Sequence, residues 1–388
     1  MHPTTHSPHA ILSFGSFSTL CGYVGEPEPR WSIPSNYNLS TTPHPSHVSY
    51  PQLIKLLNNS TTFSSALESI TRFTQTIFFK YLLTNPHNVH VIILENILTS
   101  SKFKESITYI LLKRLRVPSL LFLYHQPFSP FALRLHSALV VDVGHSTTTI
   151  LPIVFGSALT CALRVAPVGA LHVHERLGEL LETYPSLTSS ELTQNEQERT
   201  LAPIDPKVLE KISRRFCFVP SKFSKPVTCS VSDSCITLIV SDAHSIQIRP
   251  HIRSEATTVL FESPEANLPR AILESIHNAP IDTRTLLVSN ILCVGGGACF
   301  PGFQKRLSEE LNSLLQNFPP LRTLQGKFRF VESKRLHRRY LSWIYSSMAL
   351  QDEIEFDCNK ITRDEYLEKR KNIPDWTNLT HEPFSTGS

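Results

Sequence analysis

Two stretches of this chain repeat one design. Ile11-Leu12-Ser13-Phe14-Gly15-Ser16-Phe17-Ser18-Thr19 and Val140-Val141-Asp142-Val143-Gly144-His145-Ser146-Thr147-Thr148 each run two apolar residues, a short polar one, an apolar one, a glycine, then small hydroxyl residues. An apolar run halted by glycine is a buried strand entering a tight turn, and two such units indicate an internally duplicated α/β fold.

The pattern between and after them agrees. From Ser65, Leu67, Ile70, Phe73, Ile77, Phe78, Tyr81 and Leu82 recur at helical spacing, with Ser65 and Glu68 placed as a capping box and Asn85-Pro86 as the stop. Val89–Leu94 follows as a strand, Phe103, Ile107, Ile110 and Leu111 stripe a second helix, and Ser119–Leu123 and Ala138–Val143 are further strands. Strands alternating with helices predict a mostly parallel sheet covered on both faces. Pro34–Ser64 is polar with one short helix candidate, Leu53–Leu57, and reads as a weakly packed appendage. Thr183–Leu201 and Lys211–Pro250 read as an insertion with its own small sheet. The α/β signal resumes at Asn290–Val294, followed by Gly295-Gly296-Gly297 and a helix bearing Phe303, Leu307, Leu311 and Leu314.

With 388 residues, 41% of them apolar, the chain can build two or three folding units. A net charge of +4 with interspersed signs gives no basic stripe for nucleic acid. Met1–His9 lacks a cationic start followed by an apolar core, and the most hydrophobic stretch, Val117–Val143, is broken by His125, Pro127, Pro130, Arg134 and His136. Neither export nor membrane insertion is expected. The eight cysteines include no Cys-x-x-Cys pair, which argues against a zinc site or disulfide framework and for reduced cytosol.

A glycine run after a buried strand lets a ligand approach the backbone or serves a tight turn. Three such positions, Gly15, Gly144 and Gly295, point to two phosphate-clamping loops and a third that supports a nucleoside.

At these residues the chain resembles the actin family. Val140–Ile153 is similar to the family's second phosphate loop, Cys21–Arg30 with Ile33-Pro34-Ser35 to the strand after its first, and Pro280–Arg284 with Gly295–Gly302 to its adenosine side. Tyr340–Trp343 and Ile361–Tyr366 match its C-terminal helices. The resemblance implies the actin, chaperone and sugar-kinase superfold, with two duplicated halves and four subdomains around a central cleft. Its subdomains would be 1–34, 65–132 and 340–388; a reduced 35–64; 133–168 and 270–339; and 169–269. Lys80–Pro86, Val91–Glu95, Phe103–Ser106 and Asn372–Trp376 resemble the family branch at the pointed end of the dynactin filament. That branch implies a structural role in dynein-driven transport in the cytoplasm and cytoskeleton. The implied partners are dynactin's actin-like filament subunits and its pointed-end subunits. The subunit-docking face would include Phe128–Leu133 and the Trp343 helix. The alternatives are a nucleotide-dependent enzyme of the superfold and a nuclear actin-related protein.

Within the resemblance, Ser13 stands where the family has a metal-organising aspartate, Leu20 where it has a phosphate-binding lysine, and Phe17 at a loop glycine. Asp142 and Gly144 are kept, but His145 replaces an acid, Thr149 the histidine associated with hydrolysis, and His125 the glutamine that orients water. Magnesium needs oxygen ligands, so these losses weaken metal and phosphate binding, and no catalytic or metal-ligating residue is assigned. The implied cofactor is ATP or ADP, with Mg2+ in doubt, held by Gly15, Ser16, Asp142, Gly144, Gly295, Gly296 and Arg339; Arg214 replaces an acid near the ribose. His172 and His174 would lie at a helix start and point apart, and the cluster Lys334, Arg335, Arg338 and Arg339 reads as a solvated edge.

Overall fold

The computed structural model describes residues 8–35, 37–39, 46–48, 50–59, 61–183, 204–224, 236–241, 244–263, 267–332, 336–350, 360–368 and 373. The chain divides into two compact units, residues 1–135 with 340–388, and residues 136–339.

In the first unit β1 (His9–Phe14) and β2 (Ser18–Tyr23) form a hairpin continued by the edge strand β3 (Trp31–Pro34), while β1 pairs in parallel with β4 (His90–Glu95) and β4 with β5 (Ser119–Tyr124). The short strand Ile361–Thr362 closes the other edge, antiparallel to β5. Ala10, Leu12, Val91, Ile93, Leu120 and Phe122 turn one face into a core shared with the helices α1 (Tyr50–Asn58), α2 (Phe63–Thr76) and α3 (Ser101–Thr108). The alternate residues Ile11, Ile92 and Leu121 are buried as well, so both faces are covered.

Two local expectations are corrected. Leu53 and Leu57 are not weakly packed: both sit in this core, because two residues four apart suffice to seat a short helix. Ser65 does not cap α2, which starts at Phe63; its hydroxyl donates to Thr62 O at 2.8 Å, and Glu68 pairs with Arg72 at 2.6 Å instead. Both connecting helices also end in a wide turn that helical spacing does not foretell. Leu82 N–H reaches Ile77 O at 2.9 Å and Leu115 N–H reaches Ile110 O at 2.8 Å, leaving Leu83 (φ 51°) and Arg116 (φ 55°) left-handed.

The second unit repeats the plan. β6 (Ala138–Val143) and β7 (Thr148–Val154) form a hairpin, and β6 pairs in parallel with β8 (Ile291–Val294). Around this sheet pack α4 (Ala170–Thr183), α5 (Pro206–Phe216), α6 (Pro250–Glu262), α7 (Leu268–Asn278), α8 (Ile281–Ser289) and α9 (Phe303–Leu314), with Leu139, Val141, Leu177, Ile252, Leu273 and Leu307 in one core. The small sheet of the insertion is the hairpin Ile236–Ser241 with His244–Ile248. The insertion's Lys211–Phe216 stretch completes α5, which Asp205 caps through Lys207 N–H at 2.8 Å. Most of Thr183–Leu201 lies outside the described residues.

Candidate functional site

The two hairpins carry the repeated motif in one register. In the first unit Ser13 faces Leu20 and Phe14 faces Thr19; in the second Asp142 faces Thr149 and Val143 faces Thr148. Each turn closes the same way, with Gly15 N–H donating to Ser18 O at 3.2 Å and Gly144 N–H to Thr147 O at 3.1 Å. A Cβ on Gly15 would stand 2.6 Å from Ser18 O, and one on Gly144 2.8 Å from Thr147 O, so both glycines are demanded by the turn itself. The matched register makes Ser13 the repeat-mate of Asp142, so the acid survives in one half only.

The second-unit loop is held rigidly from behind. Ala170 and Leu171, at the start of α4, donate their amides to Gly144 O and His145 O at 3.1 and 2.7 Å, and Thr148 Oγ1 donates to Val168 O at 2.7 Å. Gly169 permits this approach, since its Cβ would lie 2.5 Å from His145 O and 2.7 Å from Gly144 O. In the sequence, the signal for this contact is a lone glycine just ahead of a helix.

Gly295 and Gly296 differ. Gly295 has φ +88°, and a Cβ there would meet Val143 O at 2.4 Å and Asp142 Oδ1 at 2.7 Å, so the run is pressed against Asp142 and Val143 at the end of β6. A Cβ on Gly296 meets nothing within 4 Å. Asp142, Gly144, Gly295 and Gly296 are therefore assembled in the second unit, whereas Gly15 and Ser16 belong to the first unit's hairpin. Past the run, Cys299 Sγ donates to Gly295 O at 3.4 Å. Burial pushes the Cys299 thiol up, while the charges of Arg338, Arg339 and Arg214 pull it back. Arg338 is committed to Ala298 O at 3.3 Å and to Glu332, and the Arg339 amide donates to His337 Nδ1 at 3.2 Å. A cavity of about 460 Å³ adjoins this corner, lined in part by Cys299, Phe300, Gln304 and Arg338, with Gln304 Nε2 buried and without a hydrogen-bond partner. Lys334 and Arg335 lie outside the described residues.

The histidines form a cluster that spacing did not reveal. His174 Nε2 shares a hydrogen bond with Ser213 Oγ at 2.9 Å, His172 Nδ1 accepts the Gly169 amide at 3.2 Å, and the His145 ring lies 5.7 Å from that of His174. Burial, then the neighbouring His174 and His172, lowers His145 to about 4; burial alone lowers His174 to about 4. At neutral pH the loop therefore presents an uncharged imidazole where a carboxylate would organise a metal.

The cavity's lining sets Lys305 and Arg338 beside Glu332, so it offers cationic donors to an anionic ligand next to one acid. The donor set does not suit Mg2+: Asp142 is the lone carboxylate across Ser13–Thr19 and Asp142–Thr148, and among the described residues no three His, Cys, Asp or Glu side chains are grouped to hold a metal.

In the first unit the helix Leu341–Ala349 turns Trp343 inward, 2% exposed; Tyr345, stacked with Phe128 and Phe131 at 5.9 and 5.6 Å, and the exposed Met348 lie elsewhere on that helix.

Duplicated hairpins, each joined in parallel to a later strand, with a glycine run against the second hairpin, define an internally duplicated class of α/β protein. The actin family model matches residues 4–375, and the chain belongs to the actin family. It is 27% identical to actin-related protein 10 of Dictyostelium discoideum, covering 96% of this chain and 89% of that one. Human actin-like protein 8 is 28% identical over 57% of this chain and 60% of its own length, and actin-related protein 3 of Oryza sativa subsp. indica 24% identical over 78% and 69%. Among the described residues no helix is long and apolar enough to cross a membrane.

Proposed function

We propose that this chain is a non-catalytic structural subunit of dynactin that caps the pointed end of its actin-like filament and supports dynein-driven transport in the cytoplasm. The observation that carries the reading is the end-to-end likeness to actin-related protein 10, which spans nearly all of both chains. The site chemistry points the same way: with Ser13, Leu20, His145, Thr149 and His125 at the positions that handle metal, phosphate and water, the chain retains a fold built for a nucleotide without the groups that turn it over. ATP or ADP is held by Gly15, Ser16, Asp142, Gly144, Gly295, Gly296 and Arg339 as a structural ligand. The four subdomains follow the boundaries set out above. Phe128, Phe131, Tyr345 and Met348 supply the face toward the neighbouring filament subunit, and non-actin pointed-end subunits meet the opposite one.

The region that would offer a loop to a next subunit supports a terminal position. Asn36–Ser46 is rich in Asn, Ser, Thr and Pro and has no apolar tip to insert, so the heterologous contact that lets an actin-like filament grow is missing. Electron microscopy of the native complex is expected to place one copy at one filament end, and the purified chain is expected to stay unassembled in sedimentation across salt and nucleotide. Self-assembled filaments, or copies in series along the native filament, overturn the reading.

A further inference from the structure

We propose that the exposed face of α5 docks an acidic segment of a partner protein, one whose carboxylates recur at helical spacing. Neither the dynactin role nor a bound nucleotide is needed for this contact.

The residues of α5 divide by helical position. Ile212 is fully buried, His174 and Ser213 share a hydrogen bond at 2.9 Å, and Val208, Leu209 and Phe216 pack against the same core. The other side carries Lys207, Lys211 and Arg215, each exposed and each four residues from the next, so the three cations line one stripe about 12 Å long. Arg214 stands beside them with Glu210 at 4.0 Å, and Asp205 caps the Lys207 amide. Among the described residues Lys207, Lys211 and Arg215 have no ion-pair partner.

Other helices of this chain pair their charges. On α2, α4, α7 and α9 a cation is matched by a glutamate three or four residues away: Arg72 by Glu68, Arg176 by Glu179, Arg270 by Glu274 and Arg306 by Glu310. On α5 the neighbours at that spacing are Lys207 with Lys211 and Lys211 with Arg215, like charges that destabilise a helix. Lys207 also stands in the first turn, where the helix dipole disfavours a cation. Carboxylates laid along the stripe turn both penalties into attractions. The chemistry of the face also selects among anionic partners. A helix that enters a lipid surface needs an exposed apolar side, and in α5 that side is taken by the core. Single-stranded nucleic acid needs aromatic platforms beside the cations, and the one aromatic residue of α5, Phe216, packs inward. Cations four residues apart repeat about every 6 Å along the axis, which is the repeat of glutamates or aspartates four apart on a facing helix.

The test is fluorescence anisotropy of the purified full chain with a labelled peptide of about fifteen residues, alanine with glutamate at every fourth position, and with its glutamine counterpart. The glutamate peptide is expected to bind at low salt and to weaken as salt approaches about 0.15 M, and the glutamine peptide is expected not to bind. The triple variant Lys207→Gln, Lys211→Gln, Arg215→Gln is expected to lose about tenfold or more in affinity, and the charge-matched variant Lys55→Gln, Lys102→Gln, Lys327→Gln, at three other exposed lysines, less than about twofold. No binding of the glutamate peptide, equal binding of the glutamine peptide, or equal loss in both variants overturns the proposal. Phosphatidylserine vesicles and a single-stranded oligonucleotide are measured alongside; binding of either that depends on the stripe and is tighter than the peptide's overturns the choice of a protein partner. The stripe variant is expected to unfold at the parent's temperature or above, since repulsion is relieved. A lower unfolding temperature shows that the cations serve the fold and counts against the docking role.

Discussion

Substituting alanine at Gly295 and, separately, at Gly296 distinguishes a glycine the fold needs from one a ligand needs. At Gly295 the backbone has φ +88°, where a side chain costs about 1–3 kcal/mol in strain. The added Cβ would also lie 2.4 Å from Val143 O, a backbone atom at the end of β6 that cannot swing away as a side chain would. Together these predict a loss of about 2–4 kcal/mol for Gly295→Ala, or a drop of roughly 4–16 °C in the unfolding temperature of a unit this size. Gly296 has no positive φ, and its Cβ points into space empty to 4 Å, so Gly296→Ala is expected to change stability by less than about 0.5 kcal/mol. The same methyl would occupy room that a nucleotide uses, so Gly296→Ala is expected to weaken ADP binding about tenfold or more, roughly 1.4 kcal/mol. Thermal unfolding of ligand-free protein and ADP titration at the same pH give both numbers. A Gly296→Ala protein that binds ADP as the parent does refutes the placement of the ligand at this turn. A Gly295→Ala protein of parental stability refutes the geometry assigned to the loop contact.

The buried histidines predict an acid-sensitive fold. His145 and His174 titrate near 4 when folded and near 6.5 when unfolded, so the unfolded state binds more protons between these values. Stability is complete above about pH 6.5, falls as the pH drops toward 4 by about 3 kcal/mol per histidine, and His174→Gln is expected to flatten that slope in denaturant titrations from pH 7.5 to 4.5. The purified chain is expected to release no phosphate from ATP above the buffer rate in a coupled assay, with or without filament partners, because Thr149 and His125 replace the groups that handle water; turnover like that of conventional actin would falsify the non-catalytic assignment.

Much of the fold was legible because its signals are local. The apolar runs of β1 and β6, each ended by a glycine that the turn requires, marked both hairpins, and the Gly295 run marked the return to the second sheet. What escaped is long-range or competes with a local rule. Leu53 and Leu57 form a stripe too short to stand out among polar neighbours, yet the core accepts both. Ser65 and Glu68 satisfy the spacing of a capping box, but Phe63 starts the helix and Arg72 claims the glutamate. The Trp343 helix carries its indole inward, and the missing Cβ of Gly22, whose position would be 3.1 Å from the indole, explains why it fits inside. The meeting of His145 with His174 depends on how α4 docks onto the loop, which spacing along the chain does not encode.

The division between what was kept and what was lost follows from where each residue's constraint lies. Gly15, Gly144, Gly169 and Gly295 are fixed by backbone contacts inside their own units, each with a backbone oxygen 2.4–2.6 Å or 2.8 Å from a would-be Cβ, and their loss costs folding whatever the ligand. Ser13, Leu20 and His145 occupy the same hairpins, yet the turn geometry requires no charge from any of them. A chain whose duty is to hold a shape at a filament end is therefore free to lose the acid and the lysine while keeping the glycines. A chain that had to hydrolyse its nucleotide would be held to both sets. The pattern of glycine retention with charge loss agrees with the scaffold role proposed above, and it rests on backbone distances within each unit.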